Sequence, residues 1–163
     1  PETLRSLRPG ITITELEGAQ ATLGQSIHPE MQAIYRWHNG LENDEELFPG
    51  YGFWGLESAV QTNQDLQRQG LSLLLPQEKD WLILFPDAAG DGYYYDPQVS
   101  YEQGGIFYVF REAGYYRYFP SVKNLLMAIL ECYQNGVYPQ ETEPDYEMEE
   151  WIMDKYGVVY EQE

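Results

Sequence analysis

The chain has 163 residues, of which 43% are hydrophobic and 15% aromatic, a composition that suits one folded domain with a single core. Its formal net charge is −18, which argues against nucleic acids and anionic membranes as partners because both are polyanions. Residues 131–163 contain ten acids and one base, a net of −9 and so half of the total. This predicts a basic protein partner, with solubility alone as the alternative explanation.

The sequence also limits membrane and thiol chemistry. Its longest uncharged apolar run is far shorter than the ~20 residues of a membrane-spanning helix, and its first residues lack the basic-then-apolar pattern of a secretion signal. Cys132 is the one cysteine of the chain, which excludes an internal disulfide framework and a multi-cysteine zinc site. We expect a cytoplasmic protein that is not bound to a membrane.

Helices are predicted where apolar residues recur at helical spacing next to capping residues or a closing glycine. Their ranges are 12–24, 27–40, 56–70, 121–136 and 145–157. The first can begin with a capping box of Thr12 and Glu15 or of Thr14 and Glu17. The last is acidic, and we assign residues 137–163 as an acidic carboxy-terminal helical extension.

Strands are predicted between the third and fourth helices, where apolar and aromatic runs alternate with turn residues. The runs are WLILF (81–85), GYYYD (92–96), GIFYVF (105–110) and YYRYF (115–119). Their close spacing is typical of an antiparallel β-meander. With helices at both ends of the chain, the order of elements predicts an α+β fold in which helices flank this sheet. We also expect a turn and a short strand in LFPGYGFWGL, residues 47–56.

The stretch PDAAGDGYYYDP, residues 86–97, has three possible explanations. As a calcium loop starting at Asp87, it would place Ala89 and Gln98 at positions where an oxygen ligand and a bidentate glutamate are needed. As a phosphate cradle it lacks a following helix and a lysine, and its acids would repel the ligand. We therefore predict a turn that enters a strand, with glycines that permit the tight backbone and Asp91 stabilising the turn.

The histidines and the cysteine are assigned structural roles. His28 lies at a predicted helix start, where capping explains it, and His38 lies in the last helical turn, where the helix dipole favours a cation. Cys132 lies on an apolar helix without a neighbouring base. The chain contains no His-x-x-x-His, Cys-x-x-Cys or Gly-x-Ser-x-Gly motif. We predict no catalytic residue, no metal ligand and no cofactor, hence a protein that is not an enzyme.

Four motifs in a fixed order carry a family resemblance. They are IYRWHNG (34–40), ELFPG (46–50), GFWGLESAV (52–60) and GDGYYYDP (90–97). Together, over Ile11 to Tyr133, they resemble the Smi/Knr cell-wall-assembly-regulator family of the SUKH superfamily. The resemblance implies a single SUKH-like domain over residues 1–163, with a sheet flanked by helices.

The same resemblance implies binding rather than chemistry. Bacterial members are typically immunity proteins of polymorphic toxin systems, and fungal members act in cell-wall synthesis and signalling. The first hypothesis is therefore an immunity-type protein that neutralises a basic toxin domain. The alternative is a regulatory or scaffold protein without a toxin partner. The sequence leaves the partner's identity and the oligomeric state open.

Tyrosine is unusually frequent, with fifteen in the chain, and tyrosine rings supply rigid contact area at protein interfaces. If one face of the meander is core, the other presents tyrosines beside acids. The partner-binding residues predicted on this basis are Tyr94, Tyr116, Tyr118, Asp91 and Asp96. Two alternatives remain: the rings only cover the sheet beneath a helix, or the acidic final helix around Glu147 to Asp154 binds the partner.

Overall fold

The computed structural model describes residues 5–43, 45–69, 81–96, 105–110, 114–139 and 143–159. Within them, the helices are α1 (Ile13–Leu23), α2 (Pro29–Trp37), α3 (Leu56–Gln69), α4 (Val122–Gln134) and α5 (Tyr146–Tyr156). The strands are β1 (Leu7–Pro9), β2 (His38–Leu41), β3 (Leu82–Pro86), β4 (Gly92–Tyr95), β5 (Ile106–Phe110), β6 (Gly114–Phe119) and β7 (Val158–Val159). The predicted α+β class is confirmed. No helix in these ranges is long and apolar enough to cross a membrane.

The main sheet has five strands in the order β3-β4-β5-β6-β7, and every neighbouring pair is antiparallel. The four predicted strands form its first four positions in chain order, so the predicted meander is confirmed. The fifth strand, β7, follows α5 and brings the chain back to the edge at β6. Within the described ranges, a second sheet pairs β1 with β2. None of β1, β2 and β7 was predicted, because runs of two to four residues are too short to show a period.

The helix predicted to continue to Gly40 ends earlier than expected. Trp37 is its last residue, and His38 has extended angles, φ −145° and ψ 140°. Gly40 has φ 83°, and a Cβ there would lie 2.4 Å from the backbone nitrogen of Gly55. The glycine therefore permits a close approach inside β2 instead of closing a helix.

The segment predicted as a turn and a short strand forms the turn but no strand. Phe48 and Tyr51 make an isolated bridge around the turn. Beyond it, the amide of Trp54 donates to the carbonyl of Leu84 at 3.2 Å, while the carbonyl of Phe53 accepts from the amide of Leu41 at 2.9 Å. The segment therefore links the edge of β3 to β2 and joins the two sheets.

Helix starts follow the predicted capping chemistry. Thr12 and Glu15 form the capping box of α1, which decides between the two predicted pairs. Ser121 accepts from the amide of Asn124 at the start of α4, and Asp145 caps α5. Each side chain satisfies an amide that has no partner inside its helix.

The core lies on both faces of the first strands of the sheet. Every residue of β3 and β4 is buried, and the largest fully buried side chains include Trp81, Phe85 and Phe119. Helices α3 and α4 bury Ala59, Leu125 and other apolar residues in the same core. The tyrosines of β4 therefore belong to the core, which corrects the expectation that one face of this strand is open.

Candidate functional site

The predicted partner-binding residues lie mostly inside the molecule. Tyr94 is 3% exposed and its hydroxyl donates to the carbonyl of Gly90 at 2.9 Å, while Asp91 and Asp96 are 8% and 0% exposed. These three residues offer almost no surface to a partner, because strand β4 is covered on both faces. Tyr116 and Tyr118 lie in β6, but their side chains are outside the described part of the structure. The binding role of the set stays a prediction.

The turn that enters β4 is closed by Asp87. Its carboxylate accepts from the amides of Ala89 at 2.8 Å and Asp91 at 2.9 Å. Gly92 has φ 139°, and a Cβ there would lie 2.1 Å from the carbonyl oxygen of Phe85. The turn interpretation is confirmed, and the carboxylate of Asp87, which was not named in the prediction, stabilises the turn. Across the described ranges, no three histidine, cysteine or acidic side chains are grouped as metal ligands.

The histidines and the cysteine have structural contacts. Nδ1 of His28 accepts from the amide of Glu30 at 3.3 Å, which confirms the predicted cap. His38 lies in β2, not in a helix, and its Nδ1 is 2.8 Å from the carbonyl oxygen of Arg8. Cys132 is fully buried in α4, and burial raises the pKa of its thiol, which disfavours the nucleophilic thiolate.

Helix α5 presents an acidic surface that contains exposed aromatic rings. Ile152 and Met153 turn toward the core, whereas Tyr146 and Trp151 are 63% and 62% exposed. Glu147, Glu150, Trp151 and Asp154 follow the i, i+3, i+4, i+7 spacing of one helix face, and all four are exposed. We call Tyr146, Glu147, Glu150, Trp151 and Asp154 the α5 surface. It coincides with the acidic helix predicted as the competing binding site.

A tyrosine-lined cavity of about 300 Å³ lies between α5 and the sheet. We call it the tyrosine pocket, and its described lining includes Tyr51, Tyr93, Tyr108, Tyr146, Glu149 and Glu150. The hydroxyl of Tyr51 donates to that of Tyr108 at 3.0 Å. Burial, followed by this hydrogen bond, raises the pKa of Tyr51. The phenol therefore stays neutral at physiological pH and adds no charge to the pocket.

A second exposed tryptophan lies on a largely apolar surface, in contrast to the acidic α5 surface. Trp37 is 63% exposed and lines an open, largely apolar cleft between α2 and α4. We call this cleft the α2–α4 groove, and its apolar lining includes Ala33, Ile34, Trp37, Leu126, Met127 and Leu130. The carboxylate of Glu30 joins the two helices, because it accepts from the amides of Val122 at 3.1 Å and Lys123 at 3.0 Å.

A comparison with protein families tests the family resemblance that the four sequence motifs carry. The model of the SMI1 / KNR4 family (SUKH-1) matches residues 10–128. The chain belongs to this family. No curated protein matches the chain in sequence. The family match contains the sheet wall of the tyrosine pocket but ends inside α4, before α5 begins at Tyr146.

Sequence reasoning found the tyrosine-rich sheet, but one of the tyrosines selected for an exposed surface, Tyr94, is buried. Tyr51 and Tyr108 line the pocket, and neither was named, because pairing of Tyr93 with Tyr108 and the fold of the preceding loop are not local signals. Tyr146 and Trp151 did have a signal. Each is a large aromatic residue among acids in a helix whose buried face includes other positions.

Proposed function

We propose that this SMI1/KNR4 family member is a non-enzymatic protein-binding module, of the immunity type, that neutralises a basic toxin domain in the cytoplasm of a bacterium. The observation that supports it is the α5 surface, where Trp151 is 62% exposed between the acids Glu147 and Asp154. Exposed aromatic anchors with a charged rim are the common composition of protein interfaces. Family membership supports a binding role at a coarser level.

Such a module would neutralise a toxin by covering its functional surface, without forming or breaking a covalent bond. The charge of −18 would attract a basic domain over distances of about a Debye length, ~8 Å at physiological salt. After the encounter, Trp151 would supply buried contact area while the carboxylates around it would face cationic side chains of the partner. The bound module would then cover the toxin's own functional surface.

The proposal is tested by sequencing the genes beside this one and expressing the chain in a bacterium together with any basic toxin domain that they encode. We expect growth to be restored by the parent chain and by Trp37→Ala, and restored poorly by Trp151→Ala. Trp37 is the matched control because it is the same residue type at almost the same exposure. A chain that neither binds nor protects against any neighbouring basic toxin would contradict the proposal.

The alternative is a regulator or scaffold of the cell-wall-assembly type without a toxin partner. Its support is the family match itself, which covers residues 10–128 and does not include α5. A regulator of this kind would bind an endogenous protein through the matched region. Binding that survives Trp151→Ala and neutralised acids on α5, in a genome without an adjacent toxin gene, would favour this function.

A further inference from the structure

We propose that Asn135 deamidates spontaneously in the folded protein and that the new carboxylate loosens the attachment of α5 to α4. The reaction requires only water, so it does not rest on the proposed function. The chain contains two Asn-Gly pairs, Asn39-Gly40 and Asn135-Gly136. An asparagine before glycine is especially prone to this reaction, because glycine has no Cβ that hinders its backbone nitrogen. The structure places the two pairs in contrasting environments.

The chemistry is an attack of the backbone on the side chain. The amide nitrogen of Gly136 loses its proton and forms a bond to Cγ of Asn135, while the Cγ–Nδ2 bond breaks. Nδ2 takes up the proton and leaves as ammonia, and a cyclic succinimide remains. Water then opens the ring at either of its carbonyl groups. The product is aspartate, or isoaspartate with an additional methylene group in the backbone.

The first pair is held inside the core. Asn39 is 5% exposed, and Gly40 beside it is buried. Oδ1 of Asn39 accepts from the amide of Leu56 at 2.8 Å, and its Nδ2 donates to the carboxylate of Glu57 at 2.8 Å. Ring closure at Asn39 would break both hydrogen bonds and displace buried backbone, so it would need extensive unfolding.

The second pair lies at the exposed end of α4. Asn135 is the C-cap residue of this helix, and Gly136 follows it with φ 69°, in the left-handed region that glycine adopts readily. Both residues are exposed. Apart from the flanking chain, no described heavy atom lies within 4 Å of a Cβ built on Gly136. Water therefore reaches the pair, and the surrounding structure leaves room for a succinimide ring.

Opening of the last turn of α4 is enough to start the reaction. The amide of Gly136 donates to the carbonyl of Tyr133 at 3.2 Å, and Nδ2 of Asn135 donates to the carbonyl of Glu131 at 2.9 Å. Helix ends fray, and local opening of this kind costs far less free energy than global unfolding. The same reaction should therefore be much faster at Asn135 than at Asn39.

A carboxylate at position 135 would weaken the contact between α4 and α5. It removes the Nδ2 donor to the carbonyl of Glu131 and puts negative charge at the helix end where the dipole disfavours it. It also adds an acid four residues after Glu131, whose carboxylate accepts from Lys155 and Tyr156 of α5. Like charges at this spacing destabilise a helix. Isoaspartate would in addition lengthen the backbone that leads from α4 to α5.

The experiment incubates the native full chain at neutral and at mildly alkaline pH and locates modified asparagines by peptide mass spectrometry. The synthetic peptide acetyl-Gln-Asn-Gly-Val-Tyr-amide, which has the sequence of residues 134–138, is incubated in parallel and gives the rate without a fold. We expect aspartate and isoaspartate to form at least about tenfold faster at position 135 than at position 39. Both rates should rise with pH, because the attacking nitrogen must lose its proton.

The same incubation in urea shows whether the fold causes the difference, since the two pairs should react at similar rates once the chain is unfolded. Two outcomes would overturn the proposal. One is an equal rate at Asn39 and Asn135 in the native chain. The other is an unmodified Asn135 after the synthetic peptide has reacted.

The effect on α5 is measured by amide hydrogen exchange before and after ageing. Exchange over residues 146–156 should rise about two- to tenfold in the aged parent chain, and fresh Asn135→Asp should already show the increase. Asn135→Gln is the matched control, because its longer side chain keeps the amide but closes a ring far less readily, so its exchange should not change with ageing. Unchanged exchange in a parent chain whose Asn135 has reacted would refute the loosening of α5.

Discussion

Two exposed tryptophans lie on two chemically different surfaces of this molecule. Trp37 is 63% exposed and Trp151 is 62% exposed, so their rings offer similar contact area. Trp37 lies beside exposed Met127 and Leu130 in the α2–α4 groove. Trp151 lies among the acids of the α5 surface. Equal exposure of the same residue type therefore comes with different chemistry, and a partner with a strong positive charge would distinguish the two.

The two surfaces also differ in their relation to the family match. Trp37 and Met127 fall within residues 10–128, whereas the whole α5 surface falls outside them. The part of the chain that makes it a SMI1/KNR4 family member thus builds strands β3 to β6 and most of the groove, while the acidic aromatic surface is added by the later residues. We expect partner choice to depend more on the added surface than on the groove.

The largest expected effect comes from removing one tryptophan at a time. Trp151→Ala should weaken binding of the basic partner by about 2–3 kcal/mol, because a central aromatic anchor is a typical hot spot. Trp37→Ala should change it by less than about 0.5 kcal/mol. Isothermal titration calorimetry with the purified partner measures both, and circular dichroism confirms that the variants are folded. The reverse order of effects would place the interface on the α2–α4 groove.

The salt dependence of the association rate constant should show which of the two surfaces the partner approaches. If the acidic α5 surface steers the encounter, the association rate constant should fall about tenfold or more between ~50 mM and ~500 mM salt, because screening removes long-range attraction. The dissociation rate should change much less, since the aromatic contacts are not charged. Stopped-flow or surface plasmon resonance measurements check this. An association rate that is independent of salt would argue for the apolar groove.

Local sequence patterns were enough to predict most of the elements of the fold, but not the burial of individual side chains. The helices, apart from the end of α2, the meander and the turn that enters β4 follow from local patterns, namely caps, glycines and spacing, and they were predicted. The burial of Tyr94 and Asp96 was not, because it depends on the layers that cover β4 on each face. The tyrosine pocket was not predicted either, since its lining joins Tyr51, Tyr108 and Tyr146, which are distant in sequence.

The packing of α2 against α4, the two helices that form the groove, should depend on Glu30. This carboxylate of α2 accepts from two amides at the start of α4, where the helix has donors without internal partners. Glu30→Ala should lower the free energy of unfolding by about 1–2 kcal/mol, the usual cost of losing a capping side chain. Urea denaturation measures it, with Glu17→Ala, an exposed position of α1, as the control. Equal midpoints for the two variants would show that Glu30 does not join α2 to α4.

A weaker, pH-dependent contact holds α5 to the other end of α4. Glu131 of α4 accepts from Nζ of Lys155 at 2.7 and 2.8 Å and from the hydroxyl of Tyr156. The hydrogen bonds from Lys155 and then from Tyr156 lower the pKa of Glu131 below its ordinary value. A carboxylate whose pKa is lower in the folded state stabilises the fold above its unfolded pKa and loses that contribution as the pH falls through the folded pKa.

Glu131→Gln should therefore lower the melting temperature slightly at pH 7, and the difference from the parent should shrink as the pH falls from about 5 to about 3. Asp65→Asn is the control, since Asp65 pairs with Arg68 on α3, away from both ends of α4. Because the contact fastens α5, the same variant should increase amide hydrogen exchange in residues 146–156 more than in 29–37. A stability difference that stays constant between pH 7 and pH 3, or exchange that rises equally in both helices, would mean that the carboxylate does not hold the α5 surface in place.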